Sequence, residues 1–162
     1  MIRYLTPEWL EESAKMYRLS SHFEKALSSV SAKLCFRVTA DPDWGIDGDM
    51  IFVVDVNKGN LVELAFYNEN AAQKMAEFTL AASPQNWKEI LRKDKKFITE
   101  FLMGRVSQES GSRVALLKIT PYANHLVDAL TQFELQFPDE MSEDELETYR
   151  TDLTDLRAKL NA

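Results

Sequence analysis

One cysteine, two histidines and five glycines are all that the 162 residues contain. A lone thiol, Cys35, cannot close an intramolecular disulfide, which fits a cytoplasmic protein better than a secreted one. His22 and His125 stand about a hundred residues apart with no second His or Cys at ligand spacing, so zinc is not expected. With so few glycines a phosphate cradle is hard to build. The sequence contains no G-x-G-x-x-G, no Walker loop, no G-x-S-x-G elbow and no H-E-x-x-H pair. Catalytic residues, a metal and a cofactor are therefore not expected, and the chain reads as a non-enzyme. Long apolar runs are missing too: an acid or base interrupts every stretch before the roughly 18 residues of a membrane span. Residues 1–10 carry Arg3, Glu8 and the helix-start pair Thr6-Pro7, which is not the pattern of a signal peptide. Positive charge is in deficit, 19 Lys plus Arg against 26 Asp plus Glu for a net -7, which argues against nucleic acid as a partner.

A hydrophobic share of 45% and a charged share of 28% are those of an ordinary globular domain. Charge is uneven. Residues 138–162 hold eight acids and three bases, and so -5 of the -7. This divides the chain into one domain over 1–137 and an acidic, amphipathic C-terminal helix over 138–162.

Thr6 as N-cap, Pro7 at the first helical position and Glu8 near the positive dipole end announce a helix that continues through Leu10, Ala14 and Tyr17. Ser21 and Glu24 suggest a second start, followed by Phe23, Leu27 and Val30, giving two helices or one bent near Ser20. The period then changes to two. Strands are expected over 33–40, 49–57, 60–68 and 74–82, with Phe36, Phe52, Phe66 and Phe78 on one greasy face. Short connections holding Asp47-Gly48, Lys58-Gly59-Asn60 and Asn68-Glu69-Asn70 suggest hairpins, and hence a meander with one buried side. Ser83-Pro84 opens a helix bearing Trp87, Ile90 and Leu91. Asp94 can cap another bearing Phe97, Ile98, Phe101 and Leu102, closed by Gly104. A polar edge strand over 105–110 follows, with only Val106 facing inward. Residues 114–133 read as a helical region broken at Thr120-Pro121. In the tail, Ser142 and Glu145 form a capping box, and Leu146, Tyr149, Leu153, Leu156 and Leu160 are spaced as an a/d seam. That seam can pack on its own domain or against a second chain, as in a homodimer.

Two constellations invite a site and fall short. Asp43-Trp-Gly-Ile-Asp47-Gly48 resembles a calcium loop, yet Gly45 and Val54 occupy the third and twelfth positions, where oxygen ligands are needed. Lys88, Arg92, Lys93, Lys95 and Lys96 form a basic run diluted by Glu89 and Asp94, which reads as a solvated helix face. The aromatic and aliphatic bulk of the inner face remains, as either a filled core or a lined cavity.

The order of these elements, with Trp87-Lys-Glu-Ile-Leu91 followed by Phe101-Leu-Met-Gly104-Arg-Val106 and then Gly111, resembles the sterol carrier protein 2 domain over about 33–133. The resemblance implies an α/β fold of the α+β kind: a five-stranded, mainly antiparallel sheet with helices packed on one face. It further implies an apolar tunnel between the two layers that carries a fatty acyl or sterol-like molecule without covalent chemistry. Each methylene removed from water contributes about 0.8 kcal/mol, so a buried ten-carbon chain gains roughly 8 kcal/mol before ordering costs. The candidate lining residues, each on the apolar face of its element, are Phe52, Phe66, Phe78, Trp87, Phe97, Phe101, Leu102, Leu117 and Leu130. The alternative is an interaction module with a filled core, associating through the 146–160 seam.

Overall fold

The computed structural model describes residues 1–161. Helix α1 (Pro7–Leu19) starts where the sequence places it, with the Thr6 side chain accepting from the Trp9 N–H and Pro7 in the first turn. It ends at Ser20, whose hydroxyl accepts from His22 N and caps α2 (Ser21–Ala26). The cap is thus Ser20 rather than Ser21, and the helices are two.

A five-stranded sheet follows in the spatial order β4 (Asn60–Phe66), β3 (Met50–Asn57), β2 (Ser31–Val38), β5 (Phe78–Ala82), β6 (Ser107–Ser110). Strands β2, β3 and β4 are antiparallel neighbours. The β3–β4 hairpin turns at Lys58 and Gly59, with φ of 49° and 83°. Gly59 is needed there for space as well as for its positive φ, since a Cβ would lie 2.2 Å from the Glu24 carbonyl oxygen.

The expected meander ends at β4. Asn68-Glu69-Asn70 is a helix start and not a hairpin: the Asn68 side chain accepts from Ala71 N and caps α3 (Glu69–Met75). The strand expected over 74–82 shortens to β5 (Phe78–Ala82), which pairs parallel with β2, Leu34 opposite Phe78 and Val38 opposite Ala82. A parallel pairing needs a crossover, and α3 supplies it. Edge strand β6 (Ser107–Ser110) pairs antiparallel with β5, as its polar sequence suggested, and Val106 beside it is buried. The sheet is therefore mixed, with three antiparallel pairings and one parallel.

Its inner face carries Leu34, Phe36, Phe52, Val54, Phe66, Phe78 and Leu80, within the main hydrophobic core. The outer face is also partly buried. Ala72 of α3 closes over Cys35, Ile51 and Val53 in a second, smaller core, so β3 is inaccessible on both sides from Met50 to Val54. One buried side was too simple a reading.

The inner layer comprises α1, α4 (Pro84–Leu91), α5 (Phe97–Leu102), α6 (Arg113–Ile119) and α7 (Ala123–Leu130). Helix α5 begins after Lys96, which offers no side-chain cap, two residues later than an Asp94 cap would have it. A 3-10 turn over Thr120–Tyr122 separates α6 from α7 at the anticipated break. Strand β1 (Ile2–Arg3) pairs parallel with β7 (Leu135–Gln136), a clasp with no periodic signal in two residues.

The final helix, α8 (Glu143–Leu160), has both halves of the Ser142–Glu145 capping box. Its seam is spent on its own domain: Tyr149 and Leu153 are fully buried, and Leu146, Leu156 and Leu160 pack half-buried against the same core. The Tyr149 hydroxyl donates to the Tyr4 carbonyl oxygen at 2.7 Å, and the Asn68 side-chain amide to that of Leu160 at 2.8 Å. Arg150 pairs with Asp47 and Arg3 with Glu145. Of the two readings of the seam, packing on its own domain is the one the structure shows, and the alternative homodimer through these five residues is not supported.

Candidate functional site

The two layers do not close completely. Between the inner face of the sheet and helices α4 to α7 lies a void of about 70 Å³, floored by Leu34, Phe36, Phe52 and Leu80 and roofed by Leu116, Ile119, Ala123, Leu126, Val127 and Leu130. Tyr4 and Trp9 wall it on one side; Trp87, Ile90, Leu91 and Phe97 supply the rest, with Thr120 at the α6–α7 break. A second void of about 20 Å³ lies between α1, α7 and the β3–β4 side of the sheet, lined by Ser13, Tyr17, Val54, Val56, Leu61, Leu64 and Ala129. Phe36, Leu126 and Leu130 border both voids and separate them.

Three polar groups of the larger lining are already engaged. The Trp9 indole N–H donates to the Leu130 carbonyl oxygen at 2.8 Å, and that of Trp87 to the Arg37 carbonyl oxygen at 3.0 Å. The Thr120 hydroxyl donates to the Leu117 carbonyl oxygen at 2.8 Å. Ring faces are thus what the void presents, and they brace one another. Phe36 stacks on Phe52 at 5.2 Å between centroids and meets Trp87 edge-on at 5.6 Å, while Trp9 meets Phe52 edge-on at 5.4 Å. No Asp, Glu, Lys, Arg, His or Cys lines either void among the described residues. Such a lining can exclude water and hold hydrocarbon; it offers no nucleophile–base pair. At about 70 Å³ the larger void is also well short of the roughly 300–1,000 Å³ typical of a drug-sized ligand site, so an alkyl chain needs the roof to rise.

No family model matches this sequence, and no curated protein matches it at a significant level. Solved structures do match. The crystal structure of sterol carrier protein 2 superposes with a TM-score of 0.70 at 21% identity, over 82% of this chain and all of that one. The fold is that of sterol carrier protein 2. A conserved hypothetical protein from Thermus thermophilus, solved in solution, gives the same TM-score of 0.70 and 21% identity over 82% of this chain and 90% of its own. Apo sterol carrier protein 2 from Yarrowia lipolytica superposes at 0.53 with 9% identity, over 78% of this chain and 89% of that one.

Within this sterol carrier protein 2 fold the nine residues singled out in the sequence scatter. Phe52, Trp87, Phe97 and Leu130 line the larger void. Phe66 lies one shell behind, edge-on to Phe52 at 6.0 Å. Phe78 and Phe101 are buried core away from both linings, Phe101 beneath the Arg113 guanidinium at 4.6 Å. Leu102 and Leu117 are surface residues, 59% and 38% exposed. In such short helices one residue of phase error turns a side chain from inside to outside. Phe36, Leu34 and Leu80 are missing from the nine although strict alternation with Phe52 would have found them. Tyr4 and Trp9 had no such signal, because their contact with the sheet depends on how the N-terminal segment is threaded.

Other candidate groups serve structure. Burial pushes the Cys35 thiol up, away from a reactive thiolate. Asp49 caps Ala40 N at 2.8 Å and pairs with Arg37, Asp47 pairs with Arg150, and no group of three or more metal-ligating side chains forms among the described residues. The basic run is partly consumed within the chain: Lys88 pairs with Asp139, Arg92 with Glu140 and Lys93 with Asp128. His22 and His125, remote in sequence, come within 6.2 Å between ring centroids. No described helix is long and apolar enough to cross a membrane.

Proposed function

We propose that this protein binds and carries a lipid-like hydrophobic molecule, fatty acyl or sterol-like, between the sheet and the α6–α7 roof, without catalysis. The observation that supports the reading is the almost wholly apolar lining left unfilled where two layers face each other. Sealing such a gap is easy for a core, since one larger side chain would do it, and an empty apolar void lowers stability. The sterol carrier protein 2 fold favours the same reading, because the structures it matches carry the name of a lipid carrier. The roof is suited to opening, because most of α7 is half-buried, only Ala129 being fully so, and its removal from the sheet exposes few tightly packed groups. The interaction-module alternative is weakened because its seam on α8 is already buried.

The test is saturable binding of Nile red by the full chain, displaced by lipid, together with mass spectrometry of lipid that co-purifies. Ala123→Leu, which pushes three carbons into the larger void, should leave the fold intact and reduce dye binding at least about tenfold. Absence of both dye binding and co-purifying lipid in the natural chain overturns the reading.

A further inference from the structure

Ser13 is a polar residue where the packing calls for an apolar one. It sits on the inward face of α1, 1% exposed, among Val54, Val56, Leu61, Leu64, Ala129 and Leu130, and its hydroxyl meets no hydrogen-bonding partner among the described residues. A buried hydroxyl left alone is costly, and alanine would fit the same place without that cost. Ser13 borders the smaller void, which Phe36, Leu126 and Leu130 separate from the larger one. A molecule lying along the sheet under α7 would displace those three side chains, join the two spaces and finish at Ser13.

We propose that Ser13 receives the polar end of the carried molecule and that this end is neutral: the hydroxyl or carbonyl oxygen of an alcohol, ester or sterol-like lipid. This rests on the carriage reading above and adds the chemistry of the headgroup. Charge decides against a carboxylate. Neither lining contains Lys, Arg or His. Arg18, on the same helix, is exposed and spent on the Leu61 carbonyl oxygen at 2.9 Å. Tyr17, the other polar member of the smaller lining, donates its hydroxyl to the Gly59 carbonyl oxygen at 2.5 Å. One serine hydroxyl can satisfy one neutral oxygen; an ionised carboxylate there would remain largely unpaired in an apolar enclosure.

Displacement of Nile red from the full chain by dodecan-1-ol, 1-chlorododecane and dodecanoate at about pH 8 tests this, since the acid is ionised there. The alcohol should compete at least about tenfold better than dodecanoate. Ser13→Ala should weaken the alcohol about three- to tenfold and leave 1-chlorododecane within about twofold. It should melt no lower than the natural chain, because it removes an unpaired buried group. Ser13→Cys, with a weaker donor of similar size, should reproduce much of the loss. If all three compete but Ser13→Ala changes nothing, the polar subsite is overturned and carriage stands. If dodecanoate competes best, neutrality is overturned. If none competes, carriage fails and takes the subsite with it.

Discussion

The two faces of the sheet are built on opposite terms. On the outer face Ala72 seals Cys35, Ile51 and Val53, and next to that small core a single guanidinium, Arg37, binds three carboxylates: Asp49 at 3.2 Å, Glu69 at 2.7 Å and Glu109 at 2.8 Å. These partners come from the residue before β3, from α3 and from β6, so Arg37 on β2 ties neighbouring parts of the sheet and the crossover together. The inner face is held mainly by apolar contact, with single hydrogen bonds such as that from the Trp87 indole to the Arg37 carbonyl oxygen, and is left with slack. A layer pinned by directional bonds resists bending, whereas one held by non-directional contact can part and re-form at modest cost. In the carriage reading proposed above, the sheet is the platform and α6–α7 the cover that moves.

This contrast can be broken by measurement. The largest effect belongs to the aromatic lining: Phe52→Ala or Trp9→Ala should cost about 3–5 kcal/mol in urea unfolding, while Leu102→Ala, at the surface, should stay within about 0.5 kcal/mol. Arg37→Met should cost only about 1 kcal/mol, because its partners are substantially exposed, and the loss should shrink in high salt. A larger loss for Arg37→Met than for Phe52→Ala would invert the comparison. Ala123→Leu should raise stability by about 0.5–2 kcal/mol if the inner slack is fillable; a decrease would mean that the roof is already at its natural height.

The smallest effect concerns the α8 cap. The Glu145 carboxylate accepts from the Ser142 backbone N–H and the Gln136 amide, which with the nearby Arg3 holds its pKa below the usual 4.5. A carboxyl lowered in the folded state contributes stability above its unfolded value and loses it as pH falls through the folded one. Glu145→Gln should therefore lower the melting temperature slightly at neutral pH and flatten its decline below about pH 4.5, so that the two chains converge in acid. An unchanged acid slope would show that the cap is not coupled to unfolding.

How much of this was legible in the sequence depended on the range of the interaction. Thr6-Pro7, Ser83-Pro84 and the Ser142–Glu145 box are local chemistry, and each starts a helix at or within a residue of where it should. The alternation of Phe36, Phe52 and Phe66 marked the inner face. What failed was partner choice. Nothing within 68–77 says that β5 must pass β3 and β4 to lie beside β2, and Asn68-Glu69-Asn70 serves a hairpin turn or an N-cap equally well. The candidate site suffered from the same limit: Phe52, Trp87, Phe97 and Leu130 share a void, whereas Leu102 and Leu117 obey similar spacing and face water. Periodicity sorts residues by face, and only tertiary packing decides what each face meets.

The β1–β7 clasp carries one more consequence. Residues 113–130 are tethered on both sides, upstream by the edge strand and downstream by a ladder to Ile2 and Arg3, itself braced by the Tyr149 hydroxyl on Tyr4. A span fastened at both ends cannot swing free like a flap; it can only arch at its middle, where Thr120–Tyr122 already interrupts the helical ladder. Loading and unloading would then leave the chain ends at rest, so a reporter dye placed at Tyr122 should sense traffic to which a fusion beyond α8 is blind.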